Sequence, residues 1–353
     1  MRSMDTLKVV VDEAIPYIKG QIEMIASQVE YIRGREINAD VVRDADVLII
    51  RTRTRCDAQL LEGSRVKFIA TATIGIDHID VDYCRVHGIK WSNCPGCNAG
   101  GVVQYVQAAM ALLELLEGVD LQGMTLGVVG VGHVGSAVAQ MASREYGMQL
   151  LLCDPPRAEA EDPAAFVSYE EVLRHSDVIT FHTPLVRDGK YPTYHLFDQD
   201  AVDLLERVPV LINTSRGEVV HTVALKRAIK EQKVRFPILD VWEMEPHIDR
   251  ALLDATFIGT PHIAGYSADG KSNATRMSLE ALTSFLGLDM CWDIHAPAPK
   301  QRVVNALQNI DATLQIYNPM RDSQMLKNNV DVFEELRANY PIRLEESNYS
   351  IVF

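Results

Sequence analysis

Three side chains suited to proton transfer and anion binding each follow a predicted strand in the second half of the chain. Arg216 comes after PVLINTS, Glu245 lies just beyond PILDV, and His262 follows TFIGT. An imidazole can remove a hydroxyl proton near neutral pH, a carboxylate on its other nitrogen fixes the tautomer, and a guanidinium can bind a carboxylate through two hydrogen bonds. Together these groups could oxidise a 2-hydroxy acid if a hydride acceptor lies beside them.

A hydride acceptor is indicated by Gly130, Gly132 and Gly135, which follow the predicted strand TLGVV and open the helical pattern HVGSAVAQMA. In nucleotide-binding folds the first glycine of this spacing allows a tight turn, the second lets a pyrophosphate approach the backbone, and the third lets helix and strand pack closely. The first amides of the helix would face the phosphates, and we expect His133 and Val134 to line the site. The pattern predicts a dinucleotide-binding site.

The kind of dinucleotide is indicated by Asp154, which ends the next predicted strand, QLLLCD, 24 residues after Gly130. A carboxylate there would accept hydrogen bonds from the ribose hydroxyls and repel a 2′-phosphate, which favours NAD over NADP. Arg157 could instead attract a 2′-phosphate. We expect it to be a surface arginine paired with Glu159 or Glu161.

The elements that would position these residues form two alternating series of short apolar strands and helices. The first series covers roughly residues 1 to 100, and the second follows the apolar helix GVVQYVQAAMALLELLEG. Such alternation predicts parallel sheets with helices on both faces, and the carboxyl ends of the strands line the ligand crevice of such sheets. The reactive residues can therefore converge, although they are far apart in sequence.

Length and charge narrow the possible partners. A chain of 353 residues exceeds what one core usually fills, so two or three domains are expected. The net charge of -14 argues against nucleic acid or an anionic membrane surface as a partner. No apolar run is expected to reach the eighteen or so residues that a membrane span needs, and the start, MRSMDTLKVVVDEA, lacks the apolar core of a signal peptide. We therefore expect a cytoplasmic protein.

The cysteines indicate a reducing environment. Six cysteines are scattered along the chain, which suits free thiols better than a disulfide framework. Cys94 and Cys97 form a C-x-x-C pair, but no second pair or nearby histidine completes a zinc site. We expect a loop without redox function, and no metal site.

A local basic cluster, RTRTR, follows the apolar run VLII. In extended backbone Arg51, Arg53 and Arg55 would share one face, with Thr52 and Thr54 on the other. The cluster is either a solvated strand end or a binding site for an anion.

The chain resembles the D-isomer-specific 2-hydroxyacid dehydrogenases through GVVGVGHVG, FHTPL, NTSRGEVV, LDVWEMEP and TPHIAG, which occur in the family's order. The resemblance implies that Arg216, Glu245 and His262 are catalytic and that Asp240 contacts the nicotinamide amide of NAD. It also implies that further residues line the cofactor: Thr183, Thr214, Ser215, Arg216 and Gly265.

The resemblance also implies the domain organisation. It indicates an α/β protein with two doubly wound parallel-sheet domains, a flavodoxin-like substrate domain over 1–101 and 265–287 and a Rossmann NAD domain over 102–264. The tail segment FEELRANYPIRLEESNYSI resembles an extra domain of one branch of the family, which implies a small C-terminal α+β dimerisation domain over 288–353 and a homodimer. The tail is shorter than is usual there, and Gln104 stands where many members carry Glu.

That branch acts on a small phosphorylated 2-hydroxy acid, and the resemblance implies that Thr52, Thr73 and Tyr266 contact the substrate. Such a substrate has two anionic ends. Arg216 can bind the carboxylate, and we expect an arginine of RTRTR, first of all Arg53, to bind the phosphate across a cleft between the two domains. Two alternatives stay open: a dehydrogenase of another acid, such as 3-phosphoglycerate, and an NAD-sensing transcriptional corepressor, which the acidic, compact chain disfavours.

Overall fold

The structure is a computed structural model that describes residues 7–207 and 209–353. The chain divides into two compact units, each formed from two separate stretches of sequence. The first unit comprises Met1–Asn98 with Ala268–Pro297, and the second comprises Ala99–Ser267 with Ala298–Phe353.

The described residues form strands β1 to β13. Their bounds are Lys8–Asp12 (β1), Gln28–Ile32 (β2), Val47–Ile50 (β3), Phe68–Thr71 (β4), Lys90–Ser92 (β5), Thr125–Val129 (β6), Gln149–Cys153 (β7), Val178–Phe181 (β8), Val210–Asn213 (β9), Phe236–Leu239 (β10), Ile258–Gly259 (β11), Val303–Asn305 (β12) and Ser350–Val352 (β13).

The same residues form helices α1 to α14, with short 3₁₀ turns between some of them. Their bounds are Ala39–Val42 (α1), Ala58–Leu61 (α2), Val81–Val86 (α3), Ala99–Glu117 (α4), His133–Tyr146 (α5), Pro155–Ala160 (α6), Tyr169–His175 (α7), Gln199–Leu204 (α8), Thr222–Lys230 (α9), Arg250–Ala255 (α10), Ala268–Leu286 (α11), Asn309–Ile316 (α12), Pro319–Asn328 (α13) and Phe333–Ala338 (α14).

The first unit is built on a five-stranded parallel sheet in the order β2-β1-β3-β4-β5. Its central strands are continuously apolar because both faces are covered. Successive residues of β3 alternate between two core clusters: Leu48 packs with side chains of α1, α2 and α3, and Ile49 packs with Leu279 and Leu282 of α11. The strand order is the flavodoxin-like one, and the predicted doubly wound sheet is confirmed.

The second unit is built on a six-stranded parallel sheet in the order β11-β10-β9-β8-β6-β7. The chain passes from β6 to β7 on one side and from β8 to β11 on the other, so the strand order reverses between β6 and β8. The crevice at the carboxyl ends of the strands beside such a reversal is where doubly wound sheets bind ligands. The second predicted doubly wound sheet is also confirmed.

Helix α4 corrects one expectation. It is 19 residues long and, among the described residues, is the one helix apolar and long enough to cross a membrane. Of its most apolar window, 61% is buried inside the protein. Tyr105, Ala109 and Leu113 of α4 belong to the main core cluster of the second unit together with Val128 of β6. Its length and composition are therefore those of a core helix.

The C-terminal residues do not form a third compact unit. Residues 288–297 group with the first unit, where Trp292 and Ile294 are buried, and residues 298–353 group with the second. Tyr317 packs in the same cluster as Tyr105, and Leu326 and Phe333 pack in the cluster on the opposite sheet face. The division therefore differs from the predicted domain over 288–353. The reason is that the tail packs its apolar side chains into the cores formed by the rest of each unit.

The packing of the tail predicts a large effect of Leu326→Ala. Leu326 is fully buried, and its removal should lower the free energy of unfolding by about 2–4 kcal/mol. The neighbouring Met325 is 46% exposed, so Met325→Ala is a matched control that should change stability little. Urea unfolding followed by circular dichroism compares the two. Equal, small losses would show that the tail is only loosely attached.

Candidate active site

Glu245 and His262 form a hydrogen-bonded pair in the second unit. Glu245 Oε2 lies 2.8 Å from Nδ1 of His262, and its Oε1 accepts a hydrogen bond of 3.0 Å from the Trp242 amide. Burial raises the pKa of Glu245, but the charge and hydrogen bond of His262, the Trp242 amide and the charge of Arg337 together hold that pKa below its usual value. Since an ionised carboxylate can only accept, Nδ1 of His262 donates, and Nε2 keeps the lone pair that can accept a proton.

The loop that carries His262 is held by Asp240, a buried side chain directly after β10. Asp240 Oδ1 accepts hydrogen bonds of 2.7 Å from the Thr260 hydroxyl and from the Ile263 amide, and Oδ2 accepts one of 2.8 Å from the Ala264 amide. Its backbone oxygen accepts from the His262 amide at 2.7 Å. Burial raises the pKa of Asp240 despite the opposing charge of His262 and these donors.

His262 has a left-handed backbone conformation, with φ of 58°. Residues other than glycine adopt this conformation at a cost and keep it only where the surroundings impose it. The hydrogen bonds to Asp240 impose it here. The imidazole is therefore fixed at two places, by Glu245 through its ring and by Asp240 through its backbone.

Arg216 lies on the loop after β9, which packs against the loop of Glu245. The Asn213 side chain accepts from the Ser215 amide at 3.1 Å and hydroxyl at 2.9 Å, and donates to the Arg216 carbonyl at 2.9 Å. A Cβ atom on Gly217 would collide with the backbone of Trp242, so only glycine allows the two loops to touch. The loops that carry the two charged catalytic candidates are therefore in direct contact.

The glycine turn has the geometry that its spacing predicts. Gly130 has φ of 87°, and a Cβ there would lie 2.8 Å from the Thr183 amide at the end of β8. A Cβ on Gly135 would collide with the Gly130 carbonyl, so α5 packs tightly on the turn. Around Gly132, by contrast, a Cβ would meet no atom within 4 Å. The residues fit a dinucleotide, because the turn leaves room for a pyrophosphate where the helix begins.

His133 and Val134 form the first turn of α5, and their contact with the phosphates stays a prediction. Asp154 ends β7 and accepts a hydrogen bond of 2.8 Å from the Val131 amide within the glycine turn. Its other oxygen accepts from the Arg157 amide at 3.1 Å. The acidic strand end is thus attached to the turn that would hold the cofactor.

The Arg157 guanidinium is directed to Glu161. The two side chains are joined by hydrogen bonds of 2.8 and 2.7 Å, as expected for a surface pair, while Glu159 instead binds Lys190 at 2.6 Å. Arg157 also donates to the Val131 carbonyl. These bonds engage the guanidinium within the protein, which agrees with a site for NAD rather than NADP.

His182 connects the ends of β8 and β9 and was not among the predicted site residues. Its ring nitrogens lie 2.9 Å from the Thr180 hydroxyl and 3.4 Å from the Thr214 hydroxyl. Burial lowers the pKa of His182 to about 3, so the ring is neutral. It precedes Thr183, one of the predicted cofactor contacts. The motif FHTPL contained this residue, and its place directly after a strand was the available signal.

The remaining predicted residues of this unit lie on the same loops. Ser215 precedes Arg216, and Gly265 follows the Asp240-bound Ala264. Tyr266 comes next, and its amide donates to the Ile263 carbonyl at 2.8 Å. Both carboxylate oxygens of Asp240 are used inside its loop, and its contact with the nicotinamide stays a prediction.

In the first unit, RTRTR is a turn and not an extended strand end. The Thr54 amide donates to the Arg51 carbonyl at 3.2 Å, and the buried Thr54 hydroxyl donates to the Gly34 carbonyl at 2.9 Å. The expectation that the three arginines share one face is therefore wrong, because β3 ends at Ile50 and the chain reverses. Thr52 and Arg53 are exposed in this turn.

The other two arginines of the cluster are paired with carboxylates. Arg51 Nε lies 2.9 Å from the buried Asp12 carboxylate, and Arg55 Nε lies 2.9 Å from Asp57. Thr73, another predicted substrate contact, follows β4, where its hydroxyl lies 2.7 Å from that of Thr71. Thr52, Arg53 and Thr73 thus follow two adjacent strands of the first unit at their carboxyl ends.

One cluster of possible metal ligands occurs among the described residues: His195, His221 and Glu243. His195 Nε2 lies 2.7 Å from Glu243, and the two imidazole rings are stacked at 4.2 Å with an angle of 21° between their planes. The lone pairs of ring nitrogens lie in the ring plane, so nearly parallel rings cannot both direct them at one ion. A stacked histidine pair held by a carboxylate explains this cluster better than a metal site.

Cys94 and Cys97 are free thiols, both buried. Cys94 Sγ donates to the Ala274 carbonyl at 3.2 Å, and burial raises the pKa of its thiol to about 11. A thiol with so high a pKa is unreactive at neutral pH. Cys94 is therefore a packed core residue.

Comparison with protein families agrees with the geometry of the second unit. Residues 104–264 match the family model described as the NAD binding domain of D-isomer specific 2-hydroxyacid dehydrogenases. Among solved structures, the TT0316 protein of Thermus thermophilus superposes with a TM-score of 0.67 at 27% identity, covering 80% of this chain and 98% of that one. A D-lactate dehydrogenase of Aquifex aeolicus, solved with NAD and lactic acid, has a TM-score of 0.67 at 26% identity, covering 79% and 96% of the two chains.

Relatives similar over nearly their whole length narrow the assignment. An erythronate-4-phosphate dehydrogenase of Bacteroides fragilis is 52% identical over 346 residues, which cover 98% of this chain and 99% of that enzyme. An enzyme of the same name from Porphyromonas gingivalis is 40% identical, with 98% and 95% of the two chains covered. The chain therefore belongs to the erythronate-4-phosphate dehydrogenases within the NAD-dependent D-isomer-specific 2-hydroxyacid dehydrogenase family.

Proposed function

We propose that this chain oxidises 4-phospho-D-erythronate to 2-oxo-3-hydroxy-4-phosphobutanoate with NAD, a step towards pyridoxal 5′-phosphate. The observation that carries the reaction type is the hydrogen bond between Glu245 and His262, which leaves one imidazole nitrogen as a base on a unit with a dinucleotide turn. The substrate is proposed from the similarity to enzymes named for it.

Each catalytic residue has one role in this reaction. His262 Nε2 accepts the proton of the C2 hydroxyl as the C2 carbonyl forms, and Glu245 stabilises the resulting imidazolium. Arg216 binds the carboxylate and polarises the C2 oxygen. When bound, NAD supplies the acceptor for the hydride that leaves C2. Gly130, Gly132, His133, Val134, Gly135 and Asp154 would hold it, with Thr183, Thr214, Ser215, Asp240 and Gly265 as further proposed contacts.

The phosphate end of the substrate is assigned to the first unit. Arg53 is the middle arginine of the cluster, and its side chain is exposed at the turn after β3. We therefore propose Arg53 as the phosphate ligand, with Thr52, Thr73 and Tyr266 as further proposed substrate contacts.

A homodimer in the cytoplasm is also part of the proposal. Apolar side chains are exposed on the tail: Leu307 is 95% exposed, Ile342 73% and Phe353 70%. A two-stranded sheet such as β12-β13 is marginal by itself and gains stability when it is covered. A second copy of the chain would cover it.

The cytoplasm is proposed because none of the cysteines is disulfide-bonded.

The function is tested by following NADH formation with a panel of 2-hydroxy acids, phosphorylated and unphosphorylated. We expect the highest kcat/KM with 4-phospho-D-erythronate, and His262→Ala should lower turnover by ~10²- to 10⁴-fold while NAD still binds. A higher kcat/KM with 3-phosphoglycerate would show that the proposed substrate is wrong. Binding of NAD without turnover of any acid would favour a corepressor.

The phosphate assignment predicts a selective effect of Arg53→Gln. The loss of a charge-assisted hydrogen bond, roughly 1.5 to 3 kcal/mol, should raise KM for the phosphorylated acid by on the order of ten- to a hundredfold. KM for D-erythronate, which lacks the phosphate, should change little. Arg55→Gln, in the exposed pair with Asp57, is the matched control. Equal changes on both acids would move the phosphate site elsewhere.

The dimer is tested by sedimentation velocity with the variant Leu307→Glu. The unmodified chain, of 39.4 kDa, should sediment as a dimer, and the charge in the proposed interface should shift it toward the monomer. An unmodified chain that stays monomeric at micromolar concentration would remove the homodimer from the proposal.

A further inference from the structure

The C-terminal tail places a buried arginine beside the catalytic pair. Arg337 lies on α14, which is anchored by the buried Phe333. Its Nη1 lies 3.9 Å from Glu245 Oε2, the oxygen that also binds His262, and its Nη2 donates to the Tyr266 hydroxyl at 3.3 Å. The side chain is only 16% exposed. The tail therefore adds a cation to a site that is otherwise built from strand-end loops.

The Arg337 guanidinium is not fully paired. Its pair with Glu334 spans 3.2 Å, the contact with Glu245 is longer, and its buried Nε has no hydrogen-bond partner in the described structure. A buried guanidinium costs free energy unless its donors are well paired. Tyr266 and Glu245 offset part of this cost, so the charge of Arg337 acts directly on two residues of the site.

The tail contacts the catalytic loop at several points, and these contacts hold Arg337 in place. Arg343 donates to the Ala264 carbonyl, two residues after His262. Ser267 donates to Glu345 at 2.6 Å, and the Tyr340 ring packs edge-on against Tyr266 at 6.0 Å. Residues 264 to 267 are thus held from the tail side.

A second set of buried tail residues supports this attachment. Tyr317 and Tyr340 donate hydrogen bonds of 3.1 and 3.0 Å to the same oxygen of Asp322. The Arg343 guanidinium lies over the Tyr317 ring at 4.3 Å. Arg343 also donates to the Ala264 carbonyl, so these tail residues are joined to the loop that Asp240 holds.

We propose that Arg337 is a positioning residue of the active site, which orients Tyr266 towards the substrate and offsets the negative charge of Glu245 beside His262. The inference rests on the proposed function, because it concerns the same reaction. A guanidinium bonded to the phenol oxygen polarises the Tyr266 hydroxyl, which makes it a stronger donor to an anionic substrate oxygen. The motif FEELRANYPIRLEE is thereby part of the catalytic site of its own chain.

The charge of Arg337 should also affect the pH at which the base works. The charged and titratable groups around the pair include Arg337 beside Glu245, Asp240 behind His262, and Glu334 and Tyr266 beside Arg337. Without Arg337, the Glu245 carboxylate would stabilise the imidazolium form of the base more strongly. The acid limb of the kcat/KM profile should therefore move to higher pH.

The test compares Arg337→Met, Arg337→Lys and Arg321→Met in the full-length protein. Arg337→Met should lower kcat/KM for 4-phospho-D-erythronate by ~10- to 100-fold and move the acid limb up by roughly half to one pH unit. Arg337→Lys keeps the charge, so its pH profile should be close to that of the unmodified enzyme. Arg321 is exposed on α13 of the same tail, so Arg321→Met should match the unmodified enzyme. Glu245→Gln should move the acid limb in the opposite direction.

The outcomes separate this inference from the proposed function. Two results would overturn the role of Arg337. One is an unchanged acid limb in a folded Arg337→Met variant. The other is a loss of kcat/KM in Arg337→Lys equal to that in Arg337→Met, with no change in the pH profile. If Arg337→Met does not fold, Arg337→Gln, which also removes the charge, takes its place with the same expected results. If the unmodified enzyme rejects 4-phospho-D-erythronate, the proposed substrate fails. The pH profiles are then measured with the preferred acid of the panel, or by NMR titration of His262 if no acid is turned over.

Discussion

The Asp240 carboxylate, buried at the end of β10, accepts hydrogen bonds from the Thr260 hydroxyl and from the amides of Ile263 and Ala264. These bonds close the loop after β11 onto the neighbouring strand and hold His262 in a left-handed conformation that it would otherwise leave. A carboxylate suits this place because it has several acceptor sites and no donor. The position of the proposed base, His262, therefore depends on a different, buried group.

The other parts of the site attach to this loop. The indole of Trp242 donates to the Thr260 carbonyl at 2.9 Å, while the Trp242 amide holds Glu245. The Trp242 backbone also touches Gly217, beside Arg216. On the other side the tail holds Ala264 and Tyr266. A displacement of the loop would therefore disturb the carboxylate, the arginine loop and the tail together, which explains why residues distant in sequence act as one site.

Much of this arrangement could be predicted from the sequence because it follows from strand ends. The glycine spacing of Gly130, Gly132 and Gly135 predicted the turn. Carboxyl ends of parallel strands meet at one edge, and Arg216 and His262 lie, as predicted, on loops after β9 and β11. The expected geometry of RTRTR was wrong because alternation holds only while the chain stays extended, and the turn at Arg51–Thr54 ends it. Likewise, the position of Arg337 depends on long-range packing of Phe333 and Tyr340, for which a single sequence carries no periodic signal.

The central claim is that Glu245 holds His262 in the tautomer with the proton on Nδ1, so that Nε2 is the base. ¹⁵N NMR of histidine-labelled protein tests it most directly, with the His262 signals identified by their loss in His262→Gln, at a pH where its ring is neutral. The account predicts a protonated Nδ1 and an unprotonated Nε2 for His262, and loss of this preference in Glu245→Ala. A proton on Nε2 in the unmodified protein would contradict the account.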